Sequence, residues 1–192
     1  LQSSNPLPNA CDEGVARFCA EERDRMNIAD FIAGVDRARA EQPTLAALEA
    51  FEKSIGCRLP DEYRQFLLAC AGGYFQGSAE FNWPQGHWAG AVQEVLGLRR
   101  DECSLVQTRQ TPQWPTVDEL LWIMSDHGGN PICMTIDKAH FGKIWFIDHE
   151  IAEYEKPWTL AEAMSNEWGY VLPLAPTFGD FVAGLYEQAD AS

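Results

Sequence analysis

Basic residues are scarce in this chain. Fourteen Lys and Arg stand against 29 Asp and Glu, a formal net charge of −15 over 192 residues. Binding a phosphate backbone takes clustered Lys and Arg, so nucleic acid is not an expected partner, whereas a basic protein is compatible with this charge. No apolar run approaches the ~18 residues that a spanning helix needs, and no membrane association is expected. No charged start leads into an apolar stretch, so no secretory leader is expected. The six cysteines, at positions 11, 19, 57, 70, 103 and 133, form no CxxC pair and no zinc-like cluster. Cys57, Cys70 and Cys133 stand in apolar surroundings, where a thiol acts as a small hydrophobe. This pattern points to a reducing cytoplasm without structural disulfides. There is no GxSxG, no HExxH and no internal repeat.

What is present is enough for a core. Hydrophobic residues make up 46% of the chain and aromatics 11%, which argues against disorder and for a folded domain. The length suits one domain, or one domain with an appended segment. Residues 1–10, with two prolines, read as a loose tail, and residues 11–40 as helix-favouring. Val15, Phe18 and Cys19 share one helical face, and Ile28, Phe31, Ile32 and Val35 recur at helical spacing. Thr44 can cap a helix with Leu45, Leu48, Phe51 and Ile55 on its apolar face and Gly56 at its exit. Pro60, Asp61 and Glu62 suit the start of a second helix, with Tyr63, Phe66, Leu67 and Cys70 inward and Gly72 and Gly73 stopping it. Residues 76–90 read as loop. "AVQEVLGL" (91–98) reads as a strand with Val92, Glu94 and Leu96 on one face and Gln93 and Val95 on the other. Residues 99–118 have room for a short helix. "LLWIMSD" (120–126), "PICMTID" (131–137) and "KIWFID" (143–148) are three strands whose short connections require antiparallel neighbours. Thr177 caps a last helix with the stripe Phe178, Phe181, Val182 and Leu185. Helices at both ends and strands between them predict an α+β fold, a mostly antiparallel sheet covered by helices.

"SDHGGNP" (125–131) is the stretch richest in chemistry-bearing residues. Gly128 and Gly129 resemble an anion cradle, but such cradles usually open a helix, and here Pro131 and an apolar strand follow. A turn explains Gly128, Gly129 and Asn130 better, because a tight hairpin needs positive φ values. Asp148, His149 and Glu150, with Asp126, His127 and His140, are the candidate metal ligands. Neighbours on a strand point to opposite faces, which opposes joint chelation, and no metal site is expected. Cys133 and His149 are a candidate nucleophile and base, but a thiol inside an apolar strand is inert, and no catalytic residues are expected. Trp83, His87 and Trp88 lie on a Pro/Gly loop that either presents a binding hot spot or folds back to bury its indoles. The acidic residues Glu80, Asp101, Glu102, Asp148, Glu150, Glu153 and Glu155 form a rim suited to a basic partner.

Four motifs in register carry a resemblance. "ALEAFEKSIGCRLPDEYRQFLLACAGGYF", "GGNPICM", "GKIWFIDHE" and "APTFGDFVAGL" resemble, in that order, the signature of the SUKH superfamily in its fungal cell-wall-assembly-regulator branch. The resemblance covers roughly residues 44–187. It leaves about forty extra N-terminal residues and a long segment, 156–173, outside the simplest members' pattern. The chain then divides into residues 1–43, a tail plus helical extension, and residues 44–192, the α+β domain. The resemblance implies a curved sheet backed by helices and no catalytic activity. Its bacterial relatives are immunity proteins that neutralise toxins, and its fungal ones are cell-wall regulators. The expectation is therefore a cytoplasmic, non-catalytic module, without cofactor, that binds a cognate toxin, with a nuclease fitting the charge. The alternatives are a regulatory or scaffold protein, and a metal-dependent or small-molecule enzyme centred on residues 126–150. The expected contact residues are Trp83, His87, Trp88, Asp126, His127, Asp148 and Glu150.

Overall fold

The computed structural model describes residues 25–36, 41–83, 89–112, 117–151, 159–165 and 170–187. The elements run α1 (Ile28–Gly34), β1 (Val35–Asp36), α2 (Leu45–Ile55), α3 (Asp61–Ala69), β2 (Gly73–Phe75), β3 (Glu80–Asn82) and β4 (Ala89–Val95). They continue with α4 (Leu105–Gln110), β5 (Leu120–Asp126), β6 (Pro131–Thr135), β7 (Ile144–Ile147), α5 (Leu160–Ser165), β8 (Val171–Ala175) and α6 (Phe178–Ala183). Among the described residues one antiparallel sheet holds eight strands in the order β1-β2-β4-β5-β6-β7-β8, and β3 pairs with the start of β4. The fold is α+β.

The helices form for local reasons. The Thr44 hydroxyl accepts the Ala47 N–H at 3.1 Å and opens α2, which ends on Gly56 in the left-handed region. Pro60 precedes α3, and Asp61 and Glu62 occupy its first turn, where negative charge meets the positive helix end. Asn27, Ser104 and Thr177 cap α1, α4 and α6 in the same side-chain manner as Thr44. Glu52 locks α2 to the start of α3. Its buried carboxylate accepts the Leu59 N–H at 2.7 Å and pairs with Arg64 at 2.9 Å.

An aromatic layer lies between helices and sheet. Phe178 stands 4.8 Å from Phe66 and 5.0 Å from Tyr63, centroid to centroid, and Phe31 lies 5.3 Å from Phe75. Such offsets add to the gain from burying each ring. Helix α1 reaches this layer through the fully buried Phe31. Strand β1 extends the sheet, and the Met26 N–H donates to the Leu185 carbonyl at 3.1 Å. The segment from Arg25 on is thus built into the same core as the rest.

Several expectations change. Val35 leaves the helical stripe, because the chain turns extended there and pairs with Phe75. Leu45 is 53% exposed, since the first turn of α2 overhangs the core. Residues 76–90, expected as loop, supply β3 and the start of β4. In β4 the simple alternation fails. A register shift between Val92 and Glu94 lets Val92 and Val95 both face inward and turns Glu94 to the other face. β8 lies within 156–173 and the residues just after, and its Pro173 sits on an edge strand, where a missing N–H costs no ladder bond. The proposed helical face of Val15, Phe18 and Cys19 lies outside the described residues.

Candidate functional site

Register places most of the chemistry-bearing residues at one end of the sheet. Val92 opposes Asp126, Ser125 opposes Pro131, and Ile147 opposes Val171. The β5–β6 turn, the exit of β7 and the β3–β4 connection that carries Trp83 therefore share that end. His87 and Trp88 lie outside the described residues. Trp83 is half-buried, and its indole N–H is shielded from solvent with no hydrogen-bond acceptor among the described residues.

The β5–β6 connection, residues 127–130, is a tight turn. The Asp126 N–H donates to the Asn130 carbonyl and the Gly129 N–H to the Asp126 carbonyl, both at 3.1 Å. Gly129 has φ +80° and supplies the left-handed residue that closes such a loop. Gly128 has no positive φ, so the expectation that both glycines are needed for φ holds for Gly129 alone. Asp126 is 8% exposed and both its oxygens are engaged. Oδ1 accepts the Asn130 N–H at 2.8 Å and Oδ2 the Asn130 side-chain amide at 3.0 Å. Asn130 Oδ1 in turn accepts the His149 N–H at 3.0 Å and lies 2.6 Å from His149 Nδ1. The relay Asp126–Asn130–His149 ties the turn to the end of β7. Asp148 Oδ1 accepts the Glu150 N–H at 3.0 Å. His127, Gly128, Glu150 and Ile151 face solvent at this end.

Among the described residues, no three His, Cys, Asp or Glu side chains converge as metal ligands. Cys133 is fully buried, and burial pushes its thiol far above the ordinary cysteine value, away from the reactive thiolate. Its supposed base, His149, is hydrogen-bonded to Asn130 instead.

The acidic set divides between the two ends of the sheet. Glu80, Asp148 and Glu150 belong to the turn end, while Asp101 and Glu102 follow β4 at the other. Glu153 and Glu155 lie outside the described residues. Asp101 pairs with Arg99, whose hydrogen bond holds the Asp101 carboxyl below its ordinary value. Glu102 is exposed. Near it, between α4 and the face of the sheet turned away from the aromatic layer, lies an open pocket of about 260 Å³. Glu94, Gln107, Thr108 and Trp122 line it with Glu102. No motif pointed to Glu94 or Trp122, whose common position follows from strand pairing alone.

A family model described as SMI1 / KNR4 family (SUKH-1) matches residues 42–184. The chain belongs to this family. It is also similar to the SPbeta prophage-derived uncharacterized protein YokK of Bacillus subtilis (strain 168). The two are 29% identical over 157 residues, which cover 73% of each chain. The matched span of the SMI1/KNR4 model begins just before α2 and ends just past α6, so it takes in both ends of the sheet and the α4 pocket. Membership supports, at the level of the family, a protein-binding module of the immunity type.

Proposed function

We propose that this protein is a bacterial immunity protein that binds a cognate toxin in the cytoplasm and blocks it without catalysis. The observation that carries the reading is the family match over residues 42–184. The net charge of −15 supports it by favouring a basic partner, and a nuclease domain, whose cleft must hold phosphates, has that charge. Among the described residues, Cys57, Cys103 and Cys133 stand outside any disulfide, which is compatible with a reducing compartment. Among the described residues no helix is long and apolar enough to cross a membrane. The solvent-facing candidates at the turn end are His127 and Glu150, with Asp126 and Asn130 holding the turn in shape behind them and Asp148 holding Glu150. The half-buried Trp83 stands at the same end.

The test is co-expression of the full chain with the toxic domain encoded beside its gene. Growth rescue and a co-purifying complex are expected. The absence of both rescue and complex would overturn the reading, and capture of housekeeping proteins instead would favour a regulatory or scaffold role.

A further inference from the structure

We propose that the pocket between α4 and strands β4 and β5 receives an arginine side chain of a basic protein partner. This rests on the protein-binding reading above and gives it a specific contact.

The pocket is built by register. Tyr74 on β2 opposes Glu94 on β4, and Glu94 opposes Ser125 on β5, so the three share one face of the sheet. The Trp122 indole N–H donates to the Met124 carbonyl at 2.7 Å and to Ser125 Oγ at 3.1 Å. Ser125 Oγ donates in turn to Glu94 Oε2 at 3.1 Å. This chain pins the indole plane and points the carboxylate. Gln107, Thr108 and Thr111 form the α4 wall, and Glu102 lies along the rim.

Charge is out of balance here. Glu94 is half-buried, yet no cation of the described residues pairs with it. Arg99 is committed to Asp101 and to the Gly72 carbonyl at 2.6 Å. Arg109 is committed to Asp118 at 3.0 Å and to the Leu120 carbonyl at 3.1 Å. Burial raises the Glu94 carboxyl above its ordinary value, and the nearby charge of Glu102 adds to that. A desolvated carboxylate without a counter-charge is a cost that an incoming cation offsets.

Guanidinium matches the lining better than ammonium does. Its planar fork can meet the carboxylates of Glu94 and Glu102 while its face packs on an aromatic ring. Its remaining N–H groups find acceptors in the Gln107 amide and the Thr108 hydroxyl. The pocket is open on one side. Tyr74, 44% exposed, stands beside Glu94, and Val106, 38% exposed, projects from α4. Both give a protein partner apolar surface to cover around the anchor, which a free small molecule would leave wet.

The experiment is an NMR titration of the full chain with N-acetyl-arginine methylamide, with the neutral isostere N-acetyl-citrulline methylamide as control. The expected result is a saturable shift of the Trp122 indole N–H and of the Glu102 and Thr108 amides with the arginine probe only. Glu94→Gln is expected to weaken binding about tenfold. Glu102→Gln, at an exposed site that leaves the core untouched, is expected to weaken it less. Equal responses to the two probes, no saturable shift at these residues, or unchanged binding by the folded variants would overturn the proposal. A captured toxin that binds Glu94→Gln as tightly as wild type would remove the pocket and keep the immunity reading. Arginine binding without any toxin partner would do the reverse.

Discussion

At the scale of single residues the β5–β6 turn separates two neighbouring glycines. Gly129 sits at φ +80° with open space where a side chain would go, so its demand is conformational. Gly128 has an ordinary φ, but a Cβ there would meet Asn130 Nδ2 at 3.0 Å and Asp126 Oδ1 at 3.3 Å. Gly129→Val is therefore expected to destabilise by about 1–3 kcal/mol, and Gly128→Ala by less, in urea unfolding followed by fluorescence. A larger loss for Gly128→Ala would show that the relay around Asp126 is stiffer than the turn itself. Gly97 is a different case, since a Cβ there would lie 1.9 Å from the Ala71 carbonyl oxygen. Only a residue without a side chain lets these two backbone segments meet. The turn was legible from the glycines and the asparagine. Which glycine carries the positive φ was not, because hydrogen bonding across the loop decides it.

At the scale of elements, Glu52 is the clearest lever. It is 9% exposed, sits on α2, and satisfies the Leu59 N–H and the Arg64 guanidinium ahead of and within α3. Removing it leaves a buried donor unpaired and takes from the half-buried Arg64 its nearest carboxylate, with Asp61 remaining at 3.9 Å. Glu52→Ala is expected to lower stability by about 3 kcal/mol, seen as a lower urea midpoint with the slope unchanged. Glu52→Gln is expected to recover part of that through its amide oxygen. Helices α2, α3 and α6 were legible because caps and apolar stripes lie within one stretch of sequence. Strand β8 was not. Its burial alternates weakly and it contains Pro173, so its identity as a strand comes from pairing with β7.

At the scale of the whole molecule the acidic surface has consequences for stability and for binding. Burial holds the Glu94 carboxyl above its ordinary value, so the folded state binds that proton more tightly than the unfolded state does. The stabilisation from this group is complete below the unfolded value, about 4.3 for an unperturbed Glu, and is lost as the pH rises through the raised folded value. At neutral pH the buried charge is then a cost. Glu94→Gln is expected to raise the melting temperature at pH 7 and to change it little near pH ~3.5, in scans of both proteins across pH. The groups that act on Glu94 are Ser125 and Cys103 through hydrogen bonds and Glu102 through its charge, and the Cys103 thiol, pushed up to about 12 by burial, stays protonated throughout. For binding, a chain of net charge −15 is expected to associate with a basic partner at a rate that falls steeply with added salt, while the dissociation rate changes less. Stopped-flow association over a salt series checks this, and a salt-independent rate would point to an apolar contact instead.

Composition and local pattern determined the class of this protein. Caps, stripes and short apolar runs marked three helices and the central meander, and four ordered motifs marked the family. Such features act over a single turn or strand, so a linear chain displays them. The tertiary structure decided the rest. It buried Asp126 within its own turn, set Arg99 on Asp101, and split the acidic set between two ends of the sheet. It also brought Tyr74, Glu94 and Ser125, which are 20 and 31 positions apart in sequence, onto one face. Strand register and the shift after Val92 made that choice, and register is settled only when both sides of the sheet are packed at once.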